Sequence, residues 1–180
     1  SFPKMAEMNE FVLLCGAIPT FTWLDGCSSG EQSIEEVVEV GRSTGVAAFN
    51  IIPDRNYTPG QPNQKLDNLN QVIQLTKDLG LPLLGGTEMN SPGQKFVDDF
   101  ASAELAPHQA VFLRGSWILH AHSTLQRYAG MGYLSDWANN QFQDVSAKNE
   151  FYASFGENFS PRGDERLNDA LSSEMGASEV

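Results

Sequence analysis

Short apolar runs recur along the chain, and each follows a segment with the hydrophobic spacing of a helix. Four runs stand directly after a glycine: "AIPTFTWL" after Gly16, "VAAFNII" after Gly45, "LPLLGG" after Gly80 and "SWILHA" after Gly115. A glycine just past a helix end adopts the left-handed conformation that other residues resist. Runs that are apolar at nearly every position are typical of strands buried on both faces of a parallel sheet. The pattern therefore predicts four helix–glycine–strand units.

The segments between these runs predict the helices. Ser33 and Glu36 have the spacing of a capping box, directly before the apolar positions of one helix. A second helix is predicted over about 65–79, where leucine, valine and isoleucine recur at helical spacing. Residues 91–115 contain two prolines and two glycines, which predicts a loop and two shorter helices. We expect Asp98 on the solvated face of one of them.

The order of the units predicts the fold class. Consecutive βα units form an α/β fold with a parallel sheet, and we expect a TIM-like barrel, partial or complete. Four units make half of such a barrel, and "KMAEMNEFVLLCG" has the pattern of a helix whose preceding strand is missing. We therefore expect a missing N-terminal half of the barrel, or a homo-oligomer that covers the exposed sheet edges. An open flavodoxin-like sheet is the alternative. One domain is predicted over 1–160, with a polar, fraying tail over 161–180.

Composition and charge argue against several classes of partner. The chain has 23 acidic and 11 basic residues and a formal net charge of −12. Nucleic acids and membrane surfaces attract cationic faces, so we expect neither as a partner. No apolar run is long enough to span a bilayer. Cys15 and Cys27 lack the spacing of a zinc site, and reduced thiols in a cytoplasmic protein are a simpler interpretation than a disulfide.

Polar side chains stand near the carboxyl end of every predicted strand, which is where chemistry lies in barrels and open α/β sheets. The candidates are Thr20, Thr22, Asp25, Asn50, Asp54, Arg55, Thr87, Glu88, Asn90, His120 and His122. Residues two apart on a strand share a face, so His120 and His122 would point the same way. Together with Glu88 and Asp54, they form a nitrogen and oxygen ligand set that suits zinc, manganese or iron.

These residues also have structural interpretations. A histidine near a strand end is often a hydrogen-bonded structural residue. Glu88 could form a structural salt bridge with Arg55 or Arg127, and Asp54 could be a turn residue. The "DGCSSG" loop could bind a phosphate through its backbone amides. The sequence leaves these alternatives open.

The order of these motifs resembles that of the polymerase-and-histidinol-phosphatase (PHP) superfamily of metal-dependent phosphoesterases. In that family a strand with H-x-H precedes an acidic-glycine turn and a helix of the type S-x-E-E-L-V, and "TFTWLDGCSSGEQSIEEVV" is similar in layout. The family motif G-V-x-A-x-x-x-T-D-H-N is similar to "GVAAFNIIPDRN", and L-G-I-P-x-x-x-G-x-E is similar to "LGLPLLGGTEMN". A later A-H-P strand resembles "HAHS".

The resemblance implies a PHP-type barrel with part of the family's metal ligands. The matching positions are Asp54 for the aspartate of T-D-H, Glu88 for the glutamate of G-x-E, and His122 for the later histidine. Thr20 and Thr22 occupy the positions of the paired histidines, and Arg55 replaces the histidine after the aspartate. Because threonine is a poor ligand and arginine cannot ligate, the resemblance implies fewer metal ions than the family's cluster holds.

These observations predict a metal-dependent hydrolase that acts on a phosphoester or another small polar substrate. His120, His122 and Glu88 would bind one divalent ion, with Asp54 as a further ligand or as the general base toward the metal-bound water. Arg55 would hold the anionic group of the substrate. The alternatives are a metal-dependent sugar isomerase or aldolase, and a non-catalytic barrel that has lost its metal cluster and serves as a binding module.

Overall fold

The computed structural model describes residues 2–56, 64–160 and 167–180. The elements are α1 (Met5–Leu14), β1 (Thr20–Trp23), α2 (Ile34–Ser43), β2 (Ala48–Ile51), α3 (Pro53–Asn56), α4 (Gln64–Asp78), β3 (Leu83–Gly85), α5 (Gln109–Ala129), α6 (Asp136–Gln141), α7 (Val145–Asn158) and α8 (Leu167–Ala170). A single 3-10 turn at Ala106–His108 leads into α5. Within these ranges, no helix combines the length and the apolar character needed to cross a membrane.

The first three predicted helix–glycine–strand units are present. Gly16, Gly45 and Gly80 have φ angles of 71°, 98° and 66°, in the left-handed region that favours glycine. The three strands that follow are parallel and lie in the order β1-β2-β3. The α/β class and the parallel direction of the sheet are therefore confirmed.

The predicted TIM-like barrel, partial or complete, is wrong: the described residues form an open sheet of three strands. The predicted fourth strand, "SWILHA", lies inside helix α5 instead. The buried residues of α5 recur every three or four positions: Phe112, Gly115, Ile118, Ala121, His122, Thr124 and Leu125. A run of six residues is too short to show this period, so periodicity within it cannot separate a buried strand from a buried helix.

Gly115 has a different role from the other three glycines. It lies in the second turn of α5, where a β carbon would clash with the backbone carbonyl of Leu83. The carbonyl of Pro82 and the amide of Gly86 form hydrogen bonds with β2. The backbone N–H and C=O of Leu83, which lies between them, therefore point away from β2, toward the outer side of β3. Helix α5 thus covers the outer edge of β3, and glycine permits the close approach.

Two clusters of buried side chains lie on either side of the sheet. The first joins the strands to α2 and α4 and includes Trp23, Val38, Phe49, Ile51, Leu69, Val72 and Leu83. The second joins α5, α6 and α7 and includes Ile18, Ala48, Ile118, Leu125, Met131, Tyr133, Trp137 and Tyr152. Ala48 and Phe49 belong to different clusters because successive strand residues point to opposite faces.

Several local predictions are confirmed and others are corrected. The helix predicted over about 65–79 is α4, and Ser33 is the N-cap of α2, although its side chain makes no capping hydrogen bond. Asp98 does not lie on a solvated helix. It is 4% exposed, and its carboxylate accepts a hydrogen bond of 2.7 Å from Thr87 Oγ1.

The described part of the C-terminal tail packs against the body, which differs from the predicted fraying. Leu167 is buried, and the indole nitrogen of Trp137 donates to the carbonyl of Met175 over 2.8 Å. Residues 161–166 of the predicted tail lie outside the described residues.

Candidate functional site

The carboxyl edge of the sheet, where the chain leaves the three strands, carries two ion pairs and several side-chain hydrogen bonds. Its loops follow Trp23, Ile51 and Gly85, the last residues of the three strands. Because the three strands are parallel, their carboxyl ends lie side by side at the same end of the sheet. The segments that follow the strands therefore begin close together there.

Glu31 occupies the loop after β1 as an internal anion. Its carboxylate accepts hydrogen bonds from the backbone amides of Leu24 at 2.7 Å, Asp25 at 3.4 Å and Gly26 at 3.3 Å. It is 8% exposed and also accepts from Ser28 Oγ at 3.4 Å. Two of these amides, those of Asp25 and Gly26, belong to the "DGCSSG" loop that could have held a phosphate. The loop therefore already binds an anion from its own chain.

Arg55 and Glu88 join helix α3, which follows β2, to the loop after β3. The guanidinium donates from Nε to Glu88 Oε2 at 2.8 Å and from Nη2 to Oε1 at 3.2 Å, a bidentate pair. Asn90 and Gln94 donate to the same carboxylate at 2.9 and 3.2 Å. The hydrogen bond from Arg55 is the main reason why the pKa of Glu88 lies below its ordinary value. The structural salt bridge considered for Glu88 is confirmed.

Asp25 and Lys65 form a second ion pair at this edge, 2.9 Å long, between the loop after β1 and the start of α4. Burial acts to raise the pKa of Asp25. The hydrogen bond from the Cys27 amide and the contacts with Lys65 outweigh it, so this pKa lies below its ordinary value. Lys65 Nζ also donates to the Arg55 carbonyl at 3.2 Å, which links the two ion pairs.

Asn56 lies beneath these charges and is 1% exposed. Its side-chain amide donates to the carbonyls of Leu24 and Ile52, at 2.8 and 2.9 Å. Asn56 therefore connects the residue that follows β1 to the short helix α3 and holds these two segments at a fixed distance.

The two histidines of the predicted metal site lie on α5, away from this edge. His122 Nδ1 accepts from the Tyr133 amide at 3.0 Å, so Nε2 carries the proton and donates to the Gly16 carbonyl, also at 3.0 Å. Burial lowers the pKa of His122, while the bond to Gly16 partly opposes this. His120 stacks on Phe159 instead, with ring centroids 6.1 Å apart.

The structure does not bring the predicted metal ligands together. Gly16, the partner of His122, precedes β1 at the amino edge of the sheet, whereas Glu88 follows β3 at the carboxyl edge. The backbone of Asp54 lies in α3 beside Arg55. Among the side chains that the structure describes, which exclude those of Asp54 and Asp169, no three from His, Cys, Asp or Glu are grouped so that they could hold an ion. His120 and His122 therefore lie at the opposite end of the sheet from Glu88, and the side chain of Asp54 lies outside the described residues.

Comparison of the chain with protein-family models, with curated proteins and with solved structures finds no match. The PHP-like resemblance stays an expectation from the sequence motifs. The geometry of the site is then the basis for a functional proposal.

Sequence reasoning missed two buried residues that connect the segments at this edge, Glu31 and Asn56. A signal was present for Glu31: the spacing of a serine and a glutamate three residues later occurs at Ser28 as well as at Ser33. The structure uses the first of these pairs, in the loop. Nothing in the local pattern distinguishes Asn56 from an ordinary turn asparagine.

A second surface feature is the apolar helix α1. Seven of its ten residues are apolar in "MAEMNEFVLL", and none of the ten is buried. Phe11 is 60% exposed and Leu14 is 81% exposed. A helix that is apolar on all sides is normally buried. Helix α1 has that composition, yet its apolar side chains are exposed to solvent.

Proposed function

We propose that this chain is a protein-binding module and that α1 is its binding surface. The observation that carries the proposal is the contrast between the composition of α1 and its exposure. Contiguous exposed apolar surface on a folded domain marks a site of contact with a protein or a membrane, and the net charge of −12 disfavours a membrane surface. A binding module was one of the alternatives predicted from the sequence. It is proposed here for a protein with an open three-stranded sheet instead of a barrel.

Helix α1 is held in a defined position rather than tethered loosely. Asn9 Nδ2 donates to the Thr44 carbonyl at 2.8 Å, and the carbonyl of Gly16, just past the helix, accepts from His122. Both bonds use polar groups and leave Met8, Phe11 and Leu14 exposed at 43%, 60% and 81%. A fixed helix loses less conformational entropy on binding than a flexible segment does, which favours a binding role.

The carboxyl edge of the sheet supports catalysis less well. Glu31 is bound to backbone amides, Glu88 to Arg55, and Asp25 to Lys65. A general base or a metal ligand needs lone pairs that can reach the substrate or the ion. Metal-dependent hydrolysis of a small polar or phosphorylated substrate, and sugar isomerisation or aldol chemistry, stay predictions from the sequence, as does the divalent ion itself.

The cytoplasmic location also stays a proposal. It is supported by Cys15 and Cys27, which are both exposed thiols without a disulfide in the described structure. The net charge of −12 supports the expectation that nucleic acid is not the partner.

Photo-crosslinking in cells tests the proposal. A photoreactive amino acid at position 11 should form adducts with a protein, because this side chain would lie inside the interface. The matched control is the same group at position 39, an exposed position on α2. If position 11 forms no more adducts than position 39 does, α1 is not a binding surface.

Enzyme assays test the competing function. The purified chain should not hydrolyse p-nitrophenyl phosphate faster after addition of Zn²⁺, Mn²⁺ or Fe²⁺. Metal-dependent turnover that disappears in Glu88→Gln would show that the carboxyl edge is catalytic and would contradict a purely binding role.

A further inference from the structure

We infer that the backbone amides of Leu24, Asp25 and Gly26 form a binding site for a small oxyanion such as phosphate, and that Glu31 occupies this site from within the chain. A free oxyanion would compete with the Glu31 carboxylate for the same three amides, which are called the amide site below. The inference goes beyond the proposed function, because it concerns the carboxyl edge of the sheet and uses no residue of α1.

The hydrogen bonds at the amide site suit an anion with more oxygens than a carboxylate has. The Leu24 amide donates to Glu31 Oε1 at 2.7 Å. Three other donors share Oε2: the amides of Asp25 and Gly26, at 3.4 and 3.3 Å, and Ser28 Oγ, at 3.4 Å. Hydrogen bonds from N–H to oxygen are usually about 2.7–3.2 Å long, so these three contacts are weak. A tetrahedral oxyanion would offer these donors separate acceptor oxygens.

The fold holds the amide site in place independently of Glu31. Asn56 Nδ2 donates to the carbonyl of Leu24 at 2.8 Å, and Asn68 Nδ2 donates to the carbonyl of Asp25 at 2.9 Å. Gly26 has a φ of 70°, and a β carbon there would lie 2.7 Å from Asn68 Nδ2, so this turn is closely packed. Successive amides on one side of a turn form a concave site for anions, and this turn follows β1 at the carboxyl edge, where parallel α/β sheets bind ligands.

Glu31 belongs to a loop that has few other attachments. Of the described residues 27–33, only Glu31 is buried, and the others are exposed. A β carbon on Gly30 would meet no other atom within 4 Å. Withdrawal of the Glu31 carboxylate would therefore release an exposed loop and leave the two buried clusters intact. This separation between a fixed site and a loosely attached occupant is what exchange with a free anion requires.

The charges near the amide site are compatible with an anion in place of Glu31. The other carboxylate of the loop, that of Asp25, is paired with Lys65 at 2.9 Å. The hydrogen bond to Glu88 is the main reason why the pKa of Arg55 is raised, and the negative charge of Glu31 contributes to the increase. Arg55 therefore lies within electrostatic reach of Glu31, and an oxyanion at the amide site would keep this attraction.

Glu31→Ala removes the internal occupant, and its response to inorganic phosphate tests the inference. With a dissociation constant on the order of 10 mM, about 100 mM phosphate should raise the folded-to-unfolded ratio of Glu31→Ala roughly tenfold. Phosphate also stabilises proteins in general, because it is excluded from their surfaces. The measured quantity in urea unfolding is therefore the increase beyond that of the wild type and of the matched control Gln32→Ala, with potassium chloride at equal ionic strength as reference. Equal increases in all three proteins would contradict the inference.

Nuclear magnetic resonance of the backbone amides tests the position of the site. During a phosphate titration of Glu31→Ala, the amide resonances of Leu24, Asp25 and Gly26 should shift together with one dissociation constant. The same shifts in the wild type should need at least about tenfold more phosphate, because the tethered Glu31 carboxylate competes at a high effective concentration. Shifts confined to other residues, or equal affinities in the two proteins, would overturn the inference.

An unfolded Glu31→Ala protein would still test the inference. Phosphate should then restore a cooperative unfolding transition, and potassium chloride at the same ionic strength should not. Failure of phosphate to restore the fold would contradict the inference. None of these measurements involves α1, so a negative result here leaves the proposed binding surface standing.

Discussion

The imidazole of His122 joins two segments that are distant in the sequence. Its two ring nitrogens bond to the Gly16 carbonyl and the Tyr133 amide, and the side chain is 4% exposed. The bond from Tyr133 needs an unprotonated Nδ1 acceptor, so the folded protein requires neutral histidine at this position. The residue that the sequence indicated as a metal ligand thus has a structural role, which the neutral ring alone can fulfil.

The requirement for a neutral His122 predicts a loss of stability in mild acid. In the unfolded chain the ring takes up a proton near its ordinary pKa of 6.5, whereas burial lowers the pKa in the folded chain. The unfolded state therefore binds more protons between the two pKa values, and stability falls as the pH drops below about 6.5. Urea unfolding from pH 8 to pH 5 measures this slope.

His122→Gln is the variant that isolates this effect. It should be about 1–3 kcal/mol less stable than the wild type at pH 8, because buried partners are left unpaired. Its stability should also vary less between pH 6.5 and pH 5. Burial lowers the pKa of His108 as well, so His108→Gln measures that residue's share of the slope. An unchanged slope in His122→Gln would contradict the assignment.

Glu31 is the residue on which the loop after β1 depends. Replacement by alanine leaves the Leu24, Asp25 and Gly26 amides without their acceptor, and we expect a loss of about 2 kcal/mol in the free energy of unfolding. Glu31→Gln should lose less, because one oxygen acceptor remains. The control Gln32→Ala is exposed and should stay within about 0.5 kcal/mol of the wild type. Equal stability of Glu31→Ala and Gln32→Ala would contradict this role.

At the scale of elements, helix α5 covers the side of β3 that does not pair with another described strand. It packs along the outer edge of β3, where Gly115 lies against the backbone of Leu83, and α7 crosses it where a β carbon on Gly156 would clash with the Trp117 carbonyl. Both contacts need a residue without a side chain. The open sheet is thereby closed on its β3 side by a helix instead of by the predicted fourth strand.

Gly115→Ala tests this close packing. In an exposed helix the change from glycine to alanine stabilises by about 1 kcal/mol. Here the added methyl group must push α5 away from β3, so we expect a net loss of about 1–3 kcal/mol in chemical unfolding. Ser116→Ala, at the adjacent exposed position, should change stability little. A more stable Gly115→Ala protein would show that α5 does not approach β3 this closely.

The prediction of helices and strands succeeded where a glycine in the left-handed conformation marks the end of a helix. The left-handed glycines at 16, 45 and 80 mark helix ends, so the three strands after them were placed correctly. Gly115 likewise precedes an apolar run, but it lies inside a helix, where its lack of a side chain permits close contact with Leu83. The period of buried residues from Phe112 to Leu125 was the available signal, and it becomes visible only over several turns.

At the scale of the whole molecule, two buried clusters hold the fold, and neither contains a residue of α1. Removal of residues 1–13 should therefore leave a cooperatively folding protein. The described side-chain hydrogen bond that it loses to the rest of the protein is the one from Asn9 to Thr44, worth about 1 kcal/mol, which corresponds to a fall of roughly 2–4 °C in Tm. Circular dichroism measures this change, and loss of the cooperative transition would show that α1 belongs to the core.

The amino-acid sequence alone determined the α/β class, the three parallel strands and the helix boundaries next to left-handed glycines, because these depend on residues near one another in the chain. It also placed Arg55 and Glu88 beside the sheet and offered their salt bridge as one interpretation. Only the tertiary structure decided that "SWILHA" is helical, that His120 and His122 lie away from Glu88, and that Glu31 fills the loop after β1. Those outcomes depend on which distant backbone groups each side chain meets, and that follows from packing rather than from local spacing.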